Sequence, residues 1–244
     1  MTQEKHLIIG ASSGIAKALA KKLATNQGEN LLLVSRDFSQ YDDEQFSNSM
    51  KISISDYSEQ TISLTCEQLT SSLLEQVTQV YMCNGLLHTP AFLPEKQLAN
   101  FSANQFCQTM FANALTPMLW LTHLVTKLKA KPFCKVVVFS ARIGSISDNQ
   151  LGGWYSYRAS KSALNMMLKT AAIELKRTAK HIKLIAFHPG TTDTALSRPF
   201  QKRVAQDKLF TTDFVAQQLL EIVKRHQVDG ELSYVDWQDK AIAW

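Results

Sequence analysis

The chain alternates between short apolar runs and longer segments in which apolar residues recur at helical spacing. The short runs lack the polar alternation of half-exposed strands, which is typical of strands buried on both faces. We therefore predict strands at residues 6–9, 31–35, 51–54, 77–83, 135–140, 182–187 and 232–235. We predict helices at residues 15–26, 59–75, 103–130, 157–179 and 212–225. This alternation indicates an α/β fold, a doubly wound parallel sheet of about seven strands with helices on both faces.

A glycine-containing turn joins the first predicted strand to the first predicted helix. It reads Gly10-Ala11-Ser12-Ser13-Gly14-Ile15. Backbone N–H groups at the start of a helix are unpaired and the helix dipole favours negative charge, so this turn is a candidate phosphate-binding site. Gly10 and Gly14 would let a pyrophosphate approach the backbone, and Ser12 and Ser13 could donate hydrogen bonds. An ordinary strand-to-helix turn is the alternative interpretation.

Ser35, Arg36 and Asp37 follow the second predicted strand. At this position an acidic residue accepts the ribose hydroxyls of NAD, whereas an arginine accommodates the 2′-phosphate of NADP. Ser35 and Arg36 therefore favour NADP(H) over NAD(H). Asp37 complicates the prediction, because it could pair with Arg36 or cap the following turn. Arg36 could also be a plain surface residue.

Tyr157 and Lys161 lie four residues apart in a predicted helix and therefore share one of its faces. A nearby ammonium lowers the pKa of a tyrosine from its ordinary value of about 10. Tyr157 is thus a candidate acid for a carbonyl oxygen, or a base for a hydroxyl. Such a pair also arises by chance, and its position downstream of a nucleotide-binding turn gives it weight.

Together, these motifs resemble the short-chain dehydrogenase/reductase family over essentially the whole chain. The resemblance rests on the glycine turn, Asn113, the run Tyr157-Arg158-Ala159-Ser160-Lys161, and Pro189-Gly190 with Thr194. Within the family, the sequence most resembles the branch of C-factor and sniffer-type carbonyl reductases, through Gly144-Ser145-Ile146, His188-Pro189-Gly190 and Asp236-Trp237. The resemblance implies that residues 1–244 form a single NAD(P)-binding Rossmann domain.

The resemblance also implies a role for each matched residue. Tyr157 would be the catalytic acid or base, Lys161 would lower its pKa and hold the nicotinamide ribose, and Asn113 would hold a water that relays protons to Lys161. The expected cofactor contacts are Gly10, Ser12, Ser13, Gly14, Ile15, Ser35, Arg36, Asn84, Gly85, Tyr157, Lys161, Pro189, Gly190, Thr192 and Thr194. Asn113 could instead be a buried helix amide, Pro189-Gly190 a turn, and Thr194 a helix N-cap.

One departure from the family pattern touches the chemistry. The family places a catalytic serine three residues before the glycine that follows the fifth strand; here that glycine is Gly144 and the position is Ala141. Ser140 is adjacent and we take it as the fourth catalytic residue, although it would need a bulge at the strand end to face the site. Ser145 could reach in instead. If neither does, losing one such donor costs roughly 10²–10³ in rate.

Composition and charge narrow the range of partners. Lys and Arg total 26 against 21 Asp and Glu, a net charge of +5. The densest basic stretch, residues 176–183, is nevertheless typical of a solvated helix end rather than a nucleic-acid patch. No apolar run reaches the roughly 20 residues of a membrane span, no signal peptide is recognised, and the four cysteines lack zinc-site spacing. We expect a cytoplasmic protein with no metal, nucleic acid or membrane partner.

The leading hypothesis is an NADP(H)-dependent oxidoreductase that reduces a carbonyl, or oxidises a secondary alcohol, with Tyr157 as acid or base. The alternative is an NADP-binding regulatory or signalling protein with weak or lost catalysis, which Ala141 favours. Long apolar helices and the family resemblance imply a homodimer or homotetramer. Leu151, Trp154 and Phe200 in the predicted pocket loops indicate a moderately hydrophobic small-molecule substrate and do not identify it.

Overall fold

A computed structural model describes residues 4–128 and 133–244 of the chain. Its strands are β1 (Lys5–Ile9), β2 (Leu31–Ser35), β3 (Met50–Ser53), β4 (Val77–Met82), β5 (Cys134–Phe139), β6 (Ile182–His188), β7 (Thr191–Thr192), β8 (Leu209–Phe210) and β9 (Ser233–Asp236). Seven of them form one parallel sheet in the order β3-β2-β1-β4-β5-β6-β9, and β7 pairs with β8. The predicted doubly wound parallel sheet is confirmed.

Helices cover both faces of this sheet. They are α1 (Gly14–Leu23), α2 (Glu59–Gln68), α3 (Ser71–Leu74), α4 (Ala103–Met110), α5 (Thr116–Val125), α6 (Tyr155–Thr178) and α7 (Thr212–Arg225). One apolar core lies between the sheet and α1 with α7, and a second lies between the sheet and α2, α5 and α6. The sheet order reverses between β1 and β4, which is where a doubly wound fold opens a crevice for ligands.

Two predicted helices are interrupted. The helix predicted over 59–75 breaks because Thr70 starts α3, its side chain accepting from the backbone N–H of Leu73 at 3.4 Å. The helix predicted over 103–130 contains a π-helical turn, Phe111–Leu115, between α4 and α5. Pro117 has no N–H to offer the carbonyl of Asn113, so regular α-helical pairing cannot pass through this point. The predicted end of that helix, residues 129–130, lies outside the described residues.

The sheet covers only one side of the long helices. On α6, Leu164 and Leu168 are fully buried, whereas Met166 is 68% exposed and Ile173 is 49% exposed. Leu115, at the end of the π turn, is also exposed. An apolar stripe therefore remains on the outer side of α6.

The four cysteines are free thiols, with Cys107 exposed and Cys66, Cys83 and Cys134 buried. Within the two described ranges, no group of three His, Cys, Asp or Glu side chains is arranged to hold a metal ion. No helix in these same ranges combines the length and apolar character needed to cross a membrane.

His6 in β1 gives the fold a predictable acid sensitivity. Its side chain is buried, its Nδ1 has no hydrogen-bond partner in the described chain, and burial lowers its pKa from 6.5 to about 4. The unfolded chain therefore takes up a proton below pH 6.5 that the folded chain accepts only near pH 4. Stability must fall as the pH drops through this window, by about 3 kcal/mol at pH 4.

Urea unfolding of the wild type and of His6→Leu between pH 7 and pH 4 measures this contribution. We expect the variant to lose less stability than the wild type over this range. Thr122→Leu, at an exposed position on α5 without a titratable side chain, is the control and should keep the wild-type slope. An identical slope in His6→Leu and the wild type would contradict the assignment.

Candidate active site

A cavity of about 870 Å³ opens at the carboxyl ends of the central strands. The predicted site residues in its wall are Gly10, Ser12, Ser13, Gly14, Ile15, Arg36, Asn84, Gly85, Ser140, Tyr157, Lys161, Pro189 and Thr194. Four other predicted residues, Ser35, Asn113, Gly190 and Thr192, are not part of this wall. The structure thus brings most of the predicted site into one crevice, and the remaining four contact the elements that form it.

The glycine turn presents an open helix N-terminus to the cavity. Ser13, the N-cap of α1, makes no side-chain capping bond, and the first turn of α1 contains no acidic residue. Gly10 has φ +77°, and a Cβ there would lie 3.1 Å from the backbone nitrogen of Asn84, so this position requires glycine. The Ser35 hydroxyl oxygen accepts from the N–H of Ser12 at 3.1 Å and holds the turn in place. This arrangement suits a phosphate group.

Arg36 forms the wall at the far end of the same cavity. Its guanidinium lies 5.2 Å from the centroid of the Tyr57 ring. The Asp37 carboxylate accepts instead from the backbone N–H of Ser39 at 2.8 Å and from its hydroxyl at 3.0 Å, and these bonds lower the pKa of Asp37. Of the two alternatives for Asp37, the structure therefore shows the turn cap and leaves Arg36 facing the cavity.

Lys161 is buried at the reacting end of the cavity. Its Nζ donates to the backbone oxygen of Phe139 at 2.8 Å and lies 5.9 Å from the centroid of the Tyr157 ring. Burial lowers the pKa of Lys161 to about 7. Gly144 permits this close packing, because a Cβ there would lie 2.8 Å from the backbone and Cβ of Lys161.

Tyr157 differs from the expectation in its acidity. Burial, with a smaller effect of nearby Tyr234, raises the pKa of its phenol above the ordinary value rather than lowering it. The prediction of a lowered pKa was wrong for this protein because it counted the charge of Lys161 and could not count burial. Lys161 itself is only partly charged near pH 7, which weakens its pull on the phenol. Tyr157 is held as a protonated phenol, the form that can donate a proton.

Asn113 lies behind the cavity wall with every polar atom of its side chain paired. Its Oδ1 accepts from the N–H of Leu86, and its Nδ2 donates to the oxygen of Leu86, both at 2.7 Å. Nδ2 also donates to the Ser160 hydroxyl at 3.0 Å, fastening the segment after β4 to α6. A water held by this residue would have to bind its backbone carbonyl, which Pro117 deprives of the usual helical donor.

Ser140 and Ser145 have different surroundings. Ser140 is in the cavity wall, and its hydroxyl donates to Oδ1 of Asn165 at 2.6 Å. Ser145 is buried away from the cavity, where its oxygen accepts from the N–H of Asp148 at 3.1 Å. Ala141 is not part of the wall. Of the two serines, Ser140 therefore adjoins Tyr157 and Lys161.

The segment after β6 closes the remaining side of the cavity. Pro189 and Thr194 line it, whereas Gly190, with φ +72°, packs under the ring of Phe210. Thr192 is buried in β7. The Thr194 hydroxyl donates to the backbone oxygen of Thr192 at 3.3 Å. The next helical turn begins at Arg198 with Ser197 as its N-cap, so the helix N-cap alternative for Thr194 is wrong.

Aromatic rings form the rim next to Tyr157. The Phe200 ring lies 5.0 Å from Trp154 and 5.6 Å from His88, and Trp154 lies 6.2 Å from Tyr157, all between centroids. The predicted pocket loops thus meet through Trp154 and Phe200. Leu151, predicted with them, is 92% exposed and contributes little to this rim.

The family follows from a match of residues 4–205 to the model described as short chain dehydrogenase. The chain belongs to the short-chain dehydrogenase/reductase family. Its relatives include a benzil reductase, (S)-benzoin forming, of Bacillus cereus, 22% identical over 251 residues that cover 94% of this chain and 98% of that protein. They also include the C-signal of Myxococcus xanthus, 25% identical over 137 residues, 56% of this chain and 77% of that one.

Solved structures agree with the fold of this dehydrogenase. Carbonyl reductase Sniffer of D. melanogaster superposes with a TM-score of 0.81 at 17% identity, covering 99% of this chain and 100% of that one. The NADPH-bound carbonyl reductase from chicken fatty liver superposes with a TM-score of 0.80 at 17% identity, covering 100% of both chains. At these identities the likeness concerns the fold.

Glu95 is a residue of this dehydrogenase that the sequence did not reveal. It is buried, and its carboxylate accepts from the N–H of Ser156 at 3.2 Å and from the Ser156 hydroxyl. Its backbone oxygen accepts from the N–H of Trp154 at 2.5 Å. Trp154 begins α6 in a left-handed conformation without a capping side chain, so Glu95 caps the helix from a distance. No local spacing signals a cap 61 residues away.

Removing this cap should loosen the start of the helix that carries Tyr157. For Glu95→Ala we expect a loss of about 0.5–2 kcal/mol in unfolding free energy, the usual cost of a lost N-cap. Turnover should fall with it, because Tyr157 follows Ser156 directly. Affinity for a nicotinamide cofactor should be retained, since Glu95 is not part of the cavity wall. Chemical unfolding, a turnover assay and fluorescence titration measure these three quantities.

Glu67→Ala, at an exposed position on α2, is the matched control and should leave all three quantities unchanged. Glu95→Gln keeps one acceptor oxygen and should lie between Glu95→Ala and the wild type. Wild-type stability in Glu95→Ala would refute the capping role.

Proposed function

We propose that this dehydrogenase is an NADP(H)-dependent carbonyl reductase, which reduces a carbonyl or oxidises a secondary alcohol by hydride transfer. The observation that carries the proposal is the pair of half-buried Tyr157 and buried Lys161, with Ser140 in the same wall, in a cavity whose other end is the glycine turn. Relatives named benzil reductases and a relative named a dehydrogenase support the same reaction class.

The residues present fit NADP. Asn84 Oδ1 is buried in the wall without a partner in the described chain, as suits an acceptor for a ribose hydroxyl. Arg36 would hold the 2′-phosphate, because its guanidinium faces the cavity and Asp37 is engaged elsewhere. The N-terminus of α1 would hold the pyrophosphate. Pro189 and Thr194 would contact the nicotinamide end.

At the reacting end, side chains of this protein donate the proton and position the reacting groups. When bound, the reduced cofactor supplies a hydride to the carbonyl carbon. Tyr157 donates its phenolic proton to the carbonyl oxygen, for which its raised pKa keeps it protonated. Lys161 stabilises the phenolate that remains and holds the nicotinamide ribose. Lys161 would supply the proton that restores the phenol of Tyr157, and a water on the backbone carbonyl of Asn113 would then replace the proton that Lys161 has lost.

A second candidate function is NADP binding for regulation or signalling with weak or lost catalysis. Ala141 favours it, because the family serine is absent at that position. Similarity to the protein named C-signal is consistent with it. This candidate predicts cofactor binding without turnover.

We further propose that residues 1–244 act as one cofactor-binding domain, in the cytoplasm, as a homodimer or homotetramer, on a small molecule rather than on nucleic acid or membrane. The exposed apolar side chains of Leu115, Met166 and Ile173 on the outer sides of the π turn and α6 support pairing of these helices between subunits.

The test of the reaction is NADPH oxidation with benzil, a diketone that relatives are named for. We expect the wild type to turn over and Tyr157→Phe to lose about 10²–10⁴ in kcat, because the proton donor is gone while the ring remains. NADPH binding, followed by nicotinamide fluorescence, should survive in the variant. Tight NADPH binding by a wild type that reduces no carbonyl would favour the regulatory function instead.

The cofactor preference has its own test in Arg36→Leu. Losing a charge-assisted contact worth about 1.5–3 kcal/mol should weaken NADPH binding about 10- to 100-fold, and NADH binding should stay the same, since NADH lacks the 2′-phosphate. Arg177→Leu at the exposed end of α6 removes the same charge and is the control. Equal weakening for both cofactors would argue against a phosphate contact at Arg36.

A further inference from the structure

The hydroxyl of Ser140 is directed away from the reacting carbonyl. Its Oγ lies 2.6 Å from Oδ1 of Asn165. Because an amide oxygen only accepts, Ser140 is the donor of this hydrogen bond. A serine has one hydroxyl hydrogen. Toward the cavity Ser140 therefore offers only lone pairs, which cannot polarise a carbonyl oxygen.

Asn165 has an unsatisfied group of its own. It lies four residues after Lys161 on α6, so both side chains extend from the same face toward the end of β5. Its side chain is 2% exposed, and its Nδ2 is buried without a hydrogen-bond partner in the described part of the chain. A buried amide N–H without an acceptor is costly. The present orientation satisfies only one end of the amide.

One weak acceptor for Nδ2, the Tyr234 hydroxyl oxygen, lies beside it. This hydroxyl donates to the backbone oxygen of Ala141 at 2.8 Å without making a well-formed bond to Nδ2. Gly144 lies on the other side, where even a Cβ would come within 3.0 Å of Nδ2. The Ser140 oxygen, which already contacts the other end of the same amide, is the acceptor that a turn of the amide would bring to Nδ2.

We propose that Asn165 is a positioning residue that switches Ser140 from acceptor to donor. A half-turn of the Asn165 amide brings Nδ2 to the Ser140 oxygen and frees the hydroxyl hydrogen for the carbonyl oxygen that Tyr157 protonates. No proton is transferred between the two side chains in this step. The inference rests on the proposed carbonyl reduction and assigns to the pair Ser140–Asn165 the polarising role that Ala141 cannot fill.

The number of hydrogen bonds in each orientation explains why a bound carbonyl favours the turned amide. Without the carbonyl, Ser140 and Asn165 share one bond in either orientation. With it, the present orientation still has one bond, whereas the turned orientation has two, from Nδ2 to Ser140 and from Ser140 to the carbonyl. The substrate thus selects the orientation that polarises it.

The first test is a double-mutant cycle on benzil reduction with Ser140→Ala, Asn165→Leu and the two combined. We expect each single change to lower kcat by about 10²-fold, the usual effect of losing one polarising donor, with KM and NADPH affinity unchanged. The combined variant should be no slower than the slower single variant, because both changes remove the same bond. Asn104→Leu, at an exposed position on α4, is the matched control. Losses that multiply in the combined variant would overturn the proposal.

The second test keeps the shape of the side chain and uses Asn165→Asp. A carboxylate only accepts and a protonated carboxyl can donate. The activity of this variant relative to the wild type should therefore rise as the pH is lowered. A ratio that is constant or falls would overturn the proposal. Because a buried carboxylate also costs stability when it ionises, the unfolding free energy and NADPH affinity are measured over the same pH range, and a purely structural role predicts that they change in parallel with activity.

A spectroscopic measurement separates this inference from the reaction itself. The carbonyl stretch of benzil bound with NADP⁺ should move to higher frequency in Ser140→Ala and in Asn165→Leu, because each loses a donor to the carbonyl. If the wild type reduces benzil and neither variant shifts the stretch, this inference fails and the proposed function stands. If the wild type binds NADPH and neither binds nor reduces benzil or acetophenones, the proposed function fails and the inference falls with it.

Discussion

The bond from Lys161 Nζ to the backbone oxygen of Phe139 holds the long helix α6 against the end of strand β5. Since α6 is rigid, this anchor helps to place Tyr157 one turn before it and Asn165 one turn after it along the same edge of the sheet. Gly144 makes the anchor possible by removing a side chain from the contact. The same burial that gives the anchor its geometry also changes the acid–base character of both Lys161 and Tyr157.

The two ends of the cavity are assembled by different means. The cofactor end depends on local features, a tight turn and an open helix end, with Ser35 fastening the turn to the next strand. The reacting end depends on contacts between distant segments, such as Asn113 with Leu86 and Glu95 with Ser156. A change of a few residues in a loop would therefore disturb the reacting end more readily than the phosphate site.

The sequence alone predicted the parallel sheet, the glycine turn and the Tyr157–Lys161 pair, because each has a pattern of residues that lie close together in the sequence. It missed Glu95 and Asn165, because their partners lie 61 and 25 positions away and no spacing encodes them. It also predicted the wrong direction for the pKa of Tyr157, because charge is visible in a sequence and burial at one side chain is not. The choice between Ser140 and Ser145 likewise required the path of the chain after β5.

Every pairing in the main sheet is parallel, and β1 pairs with β4 across about seventy intervening positions. Parallel strands cannot form from a tight hairpin, so each pairing must close a long loop before any of its contacts stabilise the chain. Folding should therefore be slow, and the apolar strands that are fully buried in the finished molecule stay exposed while it proceeds. The chain is consequently most prone to aggregate before its central strands have paired. Low protein concentration and low temperature are therefore the favourable conditions for its production.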